Sequence, residues 1–238
     1  MDRVKVWDCF PMWRELWAYR ARLALWAEFA PDVDYQAVPL LGDRTHRGDP
    51  LPLEVMALWN DLPHNGYAMV TLDAGSDWGR EEQQRDAVVE LRPRMADDDL
   101  VLLGDADELV DPRALAAIVA ATEDGPCKLE MALYFYGTRW RYQRPWRHAG
   151  ACRARDLPAS VSKSIRLAGH TIVPDAGWHI SYVGDGDQKL RAFAHSEVDN
   201  EEFRATLAAG PDLGTSPGGR EALADDPLPE DIARLIGV

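Results

Sequence analysis

At 238 residues the chain is long enough for one large α/β domain with a sizeable core or for two small ones, and its composition is that of an ordinary globular protein. A formal charge of −14 argues against nucleic acid or an anionic membrane as partner, since phosphate backbones are bound by Lys and Arg. It leaves room for a nucleotide held at a local cationic site. No apolar run approaches membrane-spanning length, and Met1 to Val6 enter a strand pattern with no signal-peptide layout, so the expected location is cytoplasmic. Cys9, Cys127 and Cys152 are odd in number and widely spaced, which fits buried thiols and neither a zinc site nor a disulfide framework. Nine tryptophans fill a core, and aromatic faces also suit sugar rings.

In chain order, Val4 to Phe10 reads as a strand that Pro11 breaks, and Trp13 to Phe29 carries apolar residues at helical spacing until Pro31. Val33 to Leu41 is a second strand despite Pro39, followed by a polar loop from Gly42 to Pro52. Then come a short helix (Leu53 to Leu62), a strand (Gly66 to Asp73), a long helix (Trp78 to Met95) and a strand (Leu100 to Gly104). Pro112 opens a helix through Ala121. This alternation predicts right-handed βαβ units and a mainly parallel central sheet flanked by helices, an α/β fold. After Pro126 the pattern loosens. Lys128 to Tyr136 is a strand, Val161 to Leu167 and His170 to Val173 read as short strands around Gly169, and Asn200 to Ala209 as a helix. The expected organisation is one domain over 1–210, with a nucleotide-binding half (1–125) and an acceptor half (126–210). A tail over 211–238 reads as loosely ordered, with a short helix at Pro229 to Ile236.

The stretch from Leu100 to Leu109 holds the chemistry. A short apolar run, read as a buried parallel strand, leads into Asp105, Asp107 and Glu108. Ligands of open α/β sheets bind beyond the carboxyl ends of such strands. Carboxylates this crowded repel unless something positive lies between them, and a hard divalent cation that also holds phosphate meets that need. The plainer alternative is that Asp107 or Glu108 starts the next helix, which accounts for one acid better than for three.

The sequence resembles a known family, glycosyltransferase family 17, the β-1,4-mannosyl-glycoprotein 4-β-N-acetylglucosaminyltransferases. The resemblance rests on Asp8-Cys9-Phe10-Pro11, Glu15-Leu16, Arg22-Leu23, Thr45-His46-Arg47-Gly48, Trp78 with Glu81 and Gln84-Arg85, and Asp105-Ala106-Asp107-Glu108-Leu109. It continues through Gly177-Trp178-His179-Ile180-Ser181-Tyr182, Lys189 and Phe193-Ala194-His195-Ser196-Glu197. The chain departs from the family's pattern at Pro39 to Gly42, where a Glu is usual, at Arg14, and at Asp49 to Pro52, where a Lys is usual.

The resemblance implies a GT-A-like fold and inverting transfer of a sugar, N-acetylglucosamine in the family, from a UDP-sugar to a carbohydrate hydroxyl. It implies Mn²⁺ or Mg²⁺ on Asp105 and Asp107, with His179 or His195 completing the shell. Either histidine could instead hydrogen-bond a diphosphate oxygen or be a buried structural group. Asp8, Thr45, Trp78, Arg85, Asp105 and Lys189 are the expected donor-side contacts, and Arg85 is also expected to pair with Glu81 one helical turn away or with an acid at the sheet end. The general base is sought among Asp175, Glu130, Glu197 and Asp185. Lys163, Arg166, Lys189 and Arg191 are cations available to the diphosphate. Arg139, Trp140, Arg141, Tyr142 and Trp146 are candidates for an acceptor groove. Two other classes compete: a metal-dependent nucleotidyl- or phosphotransferase, and a non-catalytic sugar-binding relative. The former calls for a Gly- or Lys-rich loop after the first strand, where Cys9 to Trp13 stands. The intact acid triplet argues against the latter.

Overall fold

The fold is built around β1 (Lys5–Met12), buried on both faces. The structure, a computed structural model, describes residues 5–60, 62, 66–183, 200–217 and 221–237. β1 pairs in parallel with β2 (Asp34–Gly42) and with β4 (Leu100–Leu103), and β2 pairs in parallel with β3 (Ala68–Val70). Trp7 and Cys9 share one face with Val38 and Leu40, under helix α3 (Asp77–Asp86) and its 3₁₀ continuation, Ala87–Arg94. Phe10 and Met12 share the other with Ala37 and Leu41, under α1 (Leu16–Phe29). A strand buried on both faces reads as a continuous apolar run, which is why the sequence shows these strands plainly. Pro11 does not end β1. It is the penultimate residue of the strand, where a missing N–H costs least. The helix predicted over Trp78 to Met95 is α-helical only to Asp86 and has Pro93 inside its 3₁₀ part.

Past β4 the sheet becomes mixed. β4 is antiparallel to β8 (Gly150–Arg153), which is antiparallel to β6 (Cys127–Phe135). β6 runs parallel to β9 (Thr171–Ser181) and antiparallel to β7 (Trp140–Arg141), which pairs with β10 (Ala224–Asp225). Among the described residues the remaining α-helices are α2 (Leu53–Trp59), α4 (Leu115–Ala121), α5 (Glu201–Leu213) and α6 (Glu230–Ile236). Among the described residues no helix is long and apolar enough to cross a membrane.

Two expectations are corrected. First, Glu108 starts no helix. Glu108–Val110 is a strand, β5, antiparallel to β9, with Glu108 opposite His179. Second, the predicted strand over Val161 to Leu167 is a π-helical turn, Ser162–Arg166, and β9 is a single long strand. The short helix expected at Pro229 to Ile236 forms as α6. Leu228, Ile232 and Ile236 are buried in the cluster that holds α1, each isoleucine contributing about 1.5–3 kcal/mol.

The β5–β9 pairing requires a glycine. Gly177 has φ +153°, and a Cβ there would lie 2.1 Å from the Leu109 carbonyl oxygen. Gly177→Ala should therefore lower stability by at least ~2 kcal/mol. A melting temperature within ~1 °C of the wild type would show that these strands part without cost.

Candidate active site

The parallel strands end at one rim. β2 and β3 lie on one side of β1 and β4 on the other, so the carboxyl ends of β1 and β4 form the switch point where α/β sheets bind ligands. The loop after β4 carries Asp105, Ala106 and Asp107. It is held from beneath by Arg22 of α1, 1% exposed. Arg22 donates to the carbonyl oxygens of Ala106, of Asp105 (3.0 Å) and of Glu108 (2.8 Å), and through Nε to Asp8 Oδ2 (3.0 Å). Its guanidinium carbon lies 3.9 Å from the centroid of the Phe10 ring. Tyr35 also donates to Asp8 Oδ2, at 2.7 Å. Asp8, expected on the donor side, is thus buried under the loop, 2% exposed, with Oδ2 accepting from both Arg22 and Tyr35.

The acids have separate surroundings. Glu108 folds back beneath its own loop. Its Oε2 accepts from the Asp105 N–H at 2.8 Å, and its Oε1 from the Trp146 indole and, at 3.4 Å, from Arg166. Gly104 permits this, since a Cβ there would lie 2.8 Å from Glu108 Oε2. Asp105 faces two cations. Arg85 donates to it through Nε (2.9 Å) and Nη2 (3.2 Å), and Arg166 through Nη2 (2.6 Å). Burial pushes its pKa up, but the Arg166 and Arg85 guanidiniums outweigh that and hold it well below the usual carboxylate range. Arg85 also pairs with Glu81 one turn earlier. Asp107, 5% exposed, faces His179, with Oδ1 to Nε2 3.4 Å. The Asp107 carbonyl accepts from the Ile180 N–H at 2.9 Å, so β9 holds this pair in register.

These groups open on a cleft of about 810 Å³. Helix α3 forms one wall: Trp78, Glu81, Gln84 and Arg85 all line the cleft, at spacings that put them on one helical face. Gln84 donates to the Leu40 carbonyl at 2.7 Å and accepts from His46 at 2.6 Å, tying the helix to β2 and the polar loop. Burial lowers the His46 pKa. Thr45 lines the cleft as expected, its hydroxyl accepting from the Asp49 N–H at 3.1 Å. Opposite lie Leu133, Phe135, Tyr142, Trp146 and Tyr182. The Trp146 ring packs between His148 and His179, with centroids 4.5 and 4.4 Å away.

Other candidates fall elsewhere. Glu130 is bound to Arg147 at 2.6 Å, and Asp175 is exposed at φ +49° on β9; neither lines the cleft, so the structure offers no support for either as base. Arg139 and Arg141 pair with Asp225 and Asp226 rather than forming a groove, and Lys163 is exposed beside Glu82. Asp185, Lys189, Arg191, His195 and Glu197 lie outside the described residues. Neither Ser162, which lines the cleft, nor the Trp146–His148–His179 stack was legible in the sequence.

The model of glycosyltransferase family 17 matches residues 61–207, more than half of the chain. The chain belongs to glycosyltransferase family 17. The mainly parallel half-sheet, the mixed half and the flanking helices agree with the α/β expectation. No curated protein sequence matches it. Among solved structures, S. aureus TarS (residues 1–349) is 12% identical, with 79% of this chain and 63% of that one covered and a TM-score of 0.41. The galactosyltransferase LgtC with donor and acceptor sugar analogues is 12% identical, covering 64% and 59%, TM-score 0.32. The bifunctional IspDF of Campylobacter jejuni is 10% identical, covering 81% and 54%, TM-score 0.38. The chain thus spans less than two thirds of each.

Among the described residues no group of three or more His, Cys, Asp or Glu side chains is gathered as a metal cage. A hard divalent cation bound with donor phosphate needs only one or two protein donors, its other positions going to water and phosphate. The facing, buried Asp107 carboxylate and His179 imidazole fit that requirement. Both oxygens of Asp105 are engaged by arginine.

Proposed function

We propose that this family 17 member is a GT-A-type glycosyltransferase that moves a sugar, N-acetylglucosamine in the family pattern, from a UDP-sugar to a carbohydrate hydroxyl with inversion. The observation that carries the reading is the Asp105–Asp107 loop, locked at the carboxyl end of β4 by Arg22 and opening on a cleft with an aromatic wall. Asp107 and His179 would hold Mn²⁺ or Mg²⁺, which when bound neutralises the charge that builds on the diphosphate leaving group. Thr45, Trp78 and Arg85 supply the donor side, and Phe135, Tyr142 and Tyr182 stack against acceptor sugar. Glu108 and Arg22 act by keeping the loop rigid, so that no reorganisation is needed as charge develops. The base that takes the acceptor proton is neither Glu130 nor Asp175 in this reading. Of the four carboxylates sought for that role, Glu197 and Asp185 remain.

The test is UDP release from a panel of UDP-sugars with acceptor oligosaccharides, with Mn²⁺ and in EDTA. Release should be fastest from UDP-N-acetylglucosamine and should collapse in EDTA. No turnover of any UDP-sugar with Mn²⁺ present would sink the reading.

A further inference from the structure

One donor beside the acid loop has no role in the scheme so far. Ser162 opens the π-helical turn, its backbone N–H donating to Asp86 Oδ1 at 3.0 Å. The residue is 3% exposed, and its Oγ has no hydrogen-bond partner among the described residues. Arg85 and Arg166 line the cleft with it, and all three also line a small cavity of about 20 Å³ behind the loop. That volume admits roughly one water-sized group. A buried hydroxyl without a partner calls for a ligand or a water. The guanidiniums beside it have the fork geometry that matches phosphate oxygens.

The backbone under Arg166 is fixed, because Lys128 donates to the Arg166 carbonyl and, at 3.2 Å, to that of Arg147. The side chain above is less committed. Arg166 bonds Asp105 but sits 3.4 Å from Glu108, a loose contact, and its side chain is 16% exposed. Glu81, Asp105 and Glu108 lie around the two arginines, so an anion arriving from the cleft has to draw Arg166 off Asp105. That requirement limits the strength of the contact without removing it.

We propose that Arg85, Arg166 and the Ser162 hydroxyl form a diphosphate anchor that holds the donor's nucleoside diphosphate without the help of a divalent cation. The inference rests on the glycosyl-transfer reading and goes beyond it, because it gives the diphosphate a partner in this chain's own cations. Asp105 is then a positioning residue that keeps the Arg85 guanidinium at the cleft floor and yields Arg166 to the arriving anion. No covalent step is involved.

The test is calorimetric titration of UDP, and separately of inorganic pyrophosphate, into the full chain in EDTA. The wild type should bind both. Arg166→Met should weaken binding about tenfold or more, the worth of one charge-assisted bond. Ser162→Ala should weaken it less, and it removes only an unpartnered atom, so it keeps the test readable if Arg166→Met melts early. Wild-type binding that appears only with Mn²⁺, or wild-type affinity in Ser162→Ala and a folded Arg166→Met, overturns the anchor. If UDP-sugar turnover with Mn²⁺ is intact in that case, the transferase reading stands alone. If the wild type neither binds UDP under any condition nor turns over a UDP-sugar, both fall.

Discussion

Replacing Arg22 by methionine should cost about 3–5 kcal/mol of folding stability, because it strips the partner from a buried carboxylate. Arg22 and Asp8 are both almost fully enclosed, at 1% and 2% exposure. Methionine fills most of the volume and keeps contact with Phe10, so the loss is electrostatic rather than a cavity. Asp8 would keep Tyr35 as its donor and lose its charge partner. The carbonyls of Asp105, Ala106 and Glu108 would lose their common donor together. The unfolding free energy from urea titration reads the first effect, and UDP-sugar turnover reads the second.

The double variant Arg22→Met/Asp8→Asn separates the two. Removing both charges leaves no unpaired ion, so much of the stability should return. The loop carbonyls still lack their donor, so activity should not. A single variant as stable as the wild type would mean that the ion pair does not hold this loop. A double variant that regains full activity would mean that the loop does not need it.

The same clamp shows how far the sequence could be read. The parallel half was legible because β1, β2 and β4 are apolar runs between helices, and burial on both faces leaves that mark. The acid loop was legible as a candidate site from its position after β4. What the sequence could not show was which cation answers each acid. Arg85 was expected on Glu81 or a sheet-end acid and meets both, but Arg166, 61 positions from Asp105, reaches it through a fold that composition does not encode. Glu108 looked like a helix start because β5 is three residues long, too short for any period. The π-turn was misread because Val161 and Ile165 stand among serines like a strand's alternation, yet both are buried at a spacing of four. In the tail, rich in Pro, Gly and Asp, the short helix at Pro229 to Ile236 was still legible. Its stripe at Leu228, Ile232 and Ile236 was a helical signal of the same spacing, and it packs on α1.

Asp107→Asn is the substitution with the largest expected effect on turnover. The change is isosteric, and the Asp107 carbonyl still accepts from Ile180, so β5 and β9 keep their register. The carboxylate charge facing His179 is what disappears. In the proposed scheme that charge is the protein's main hold on the divalent cation, since both oxygens of Asp105 are engaged by arginines and Glu108 points under the loop. The rate of UDP release at saturating donor should fall at least about a hundredfold, a loss of stabilisation made only as the leaving group gathers charge. Mn²⁺ affinity measured by electron paramagnetic resonance should fall with it, while the melting curve stays close to that of the wild type. Asp105→Asn should divide differently. Its neutral amide would release Arg166 more readily and take a negative charge away from the anion's approach, so UDP affinity in EDTA should rise with Mn²⁺ affinity nearly unchanged. If Asp107→Asn keeps its Mn²⁺ affinity and Asp105→Asn loses it, the roles of the two acids are reversed and the arginines are only their resting partners.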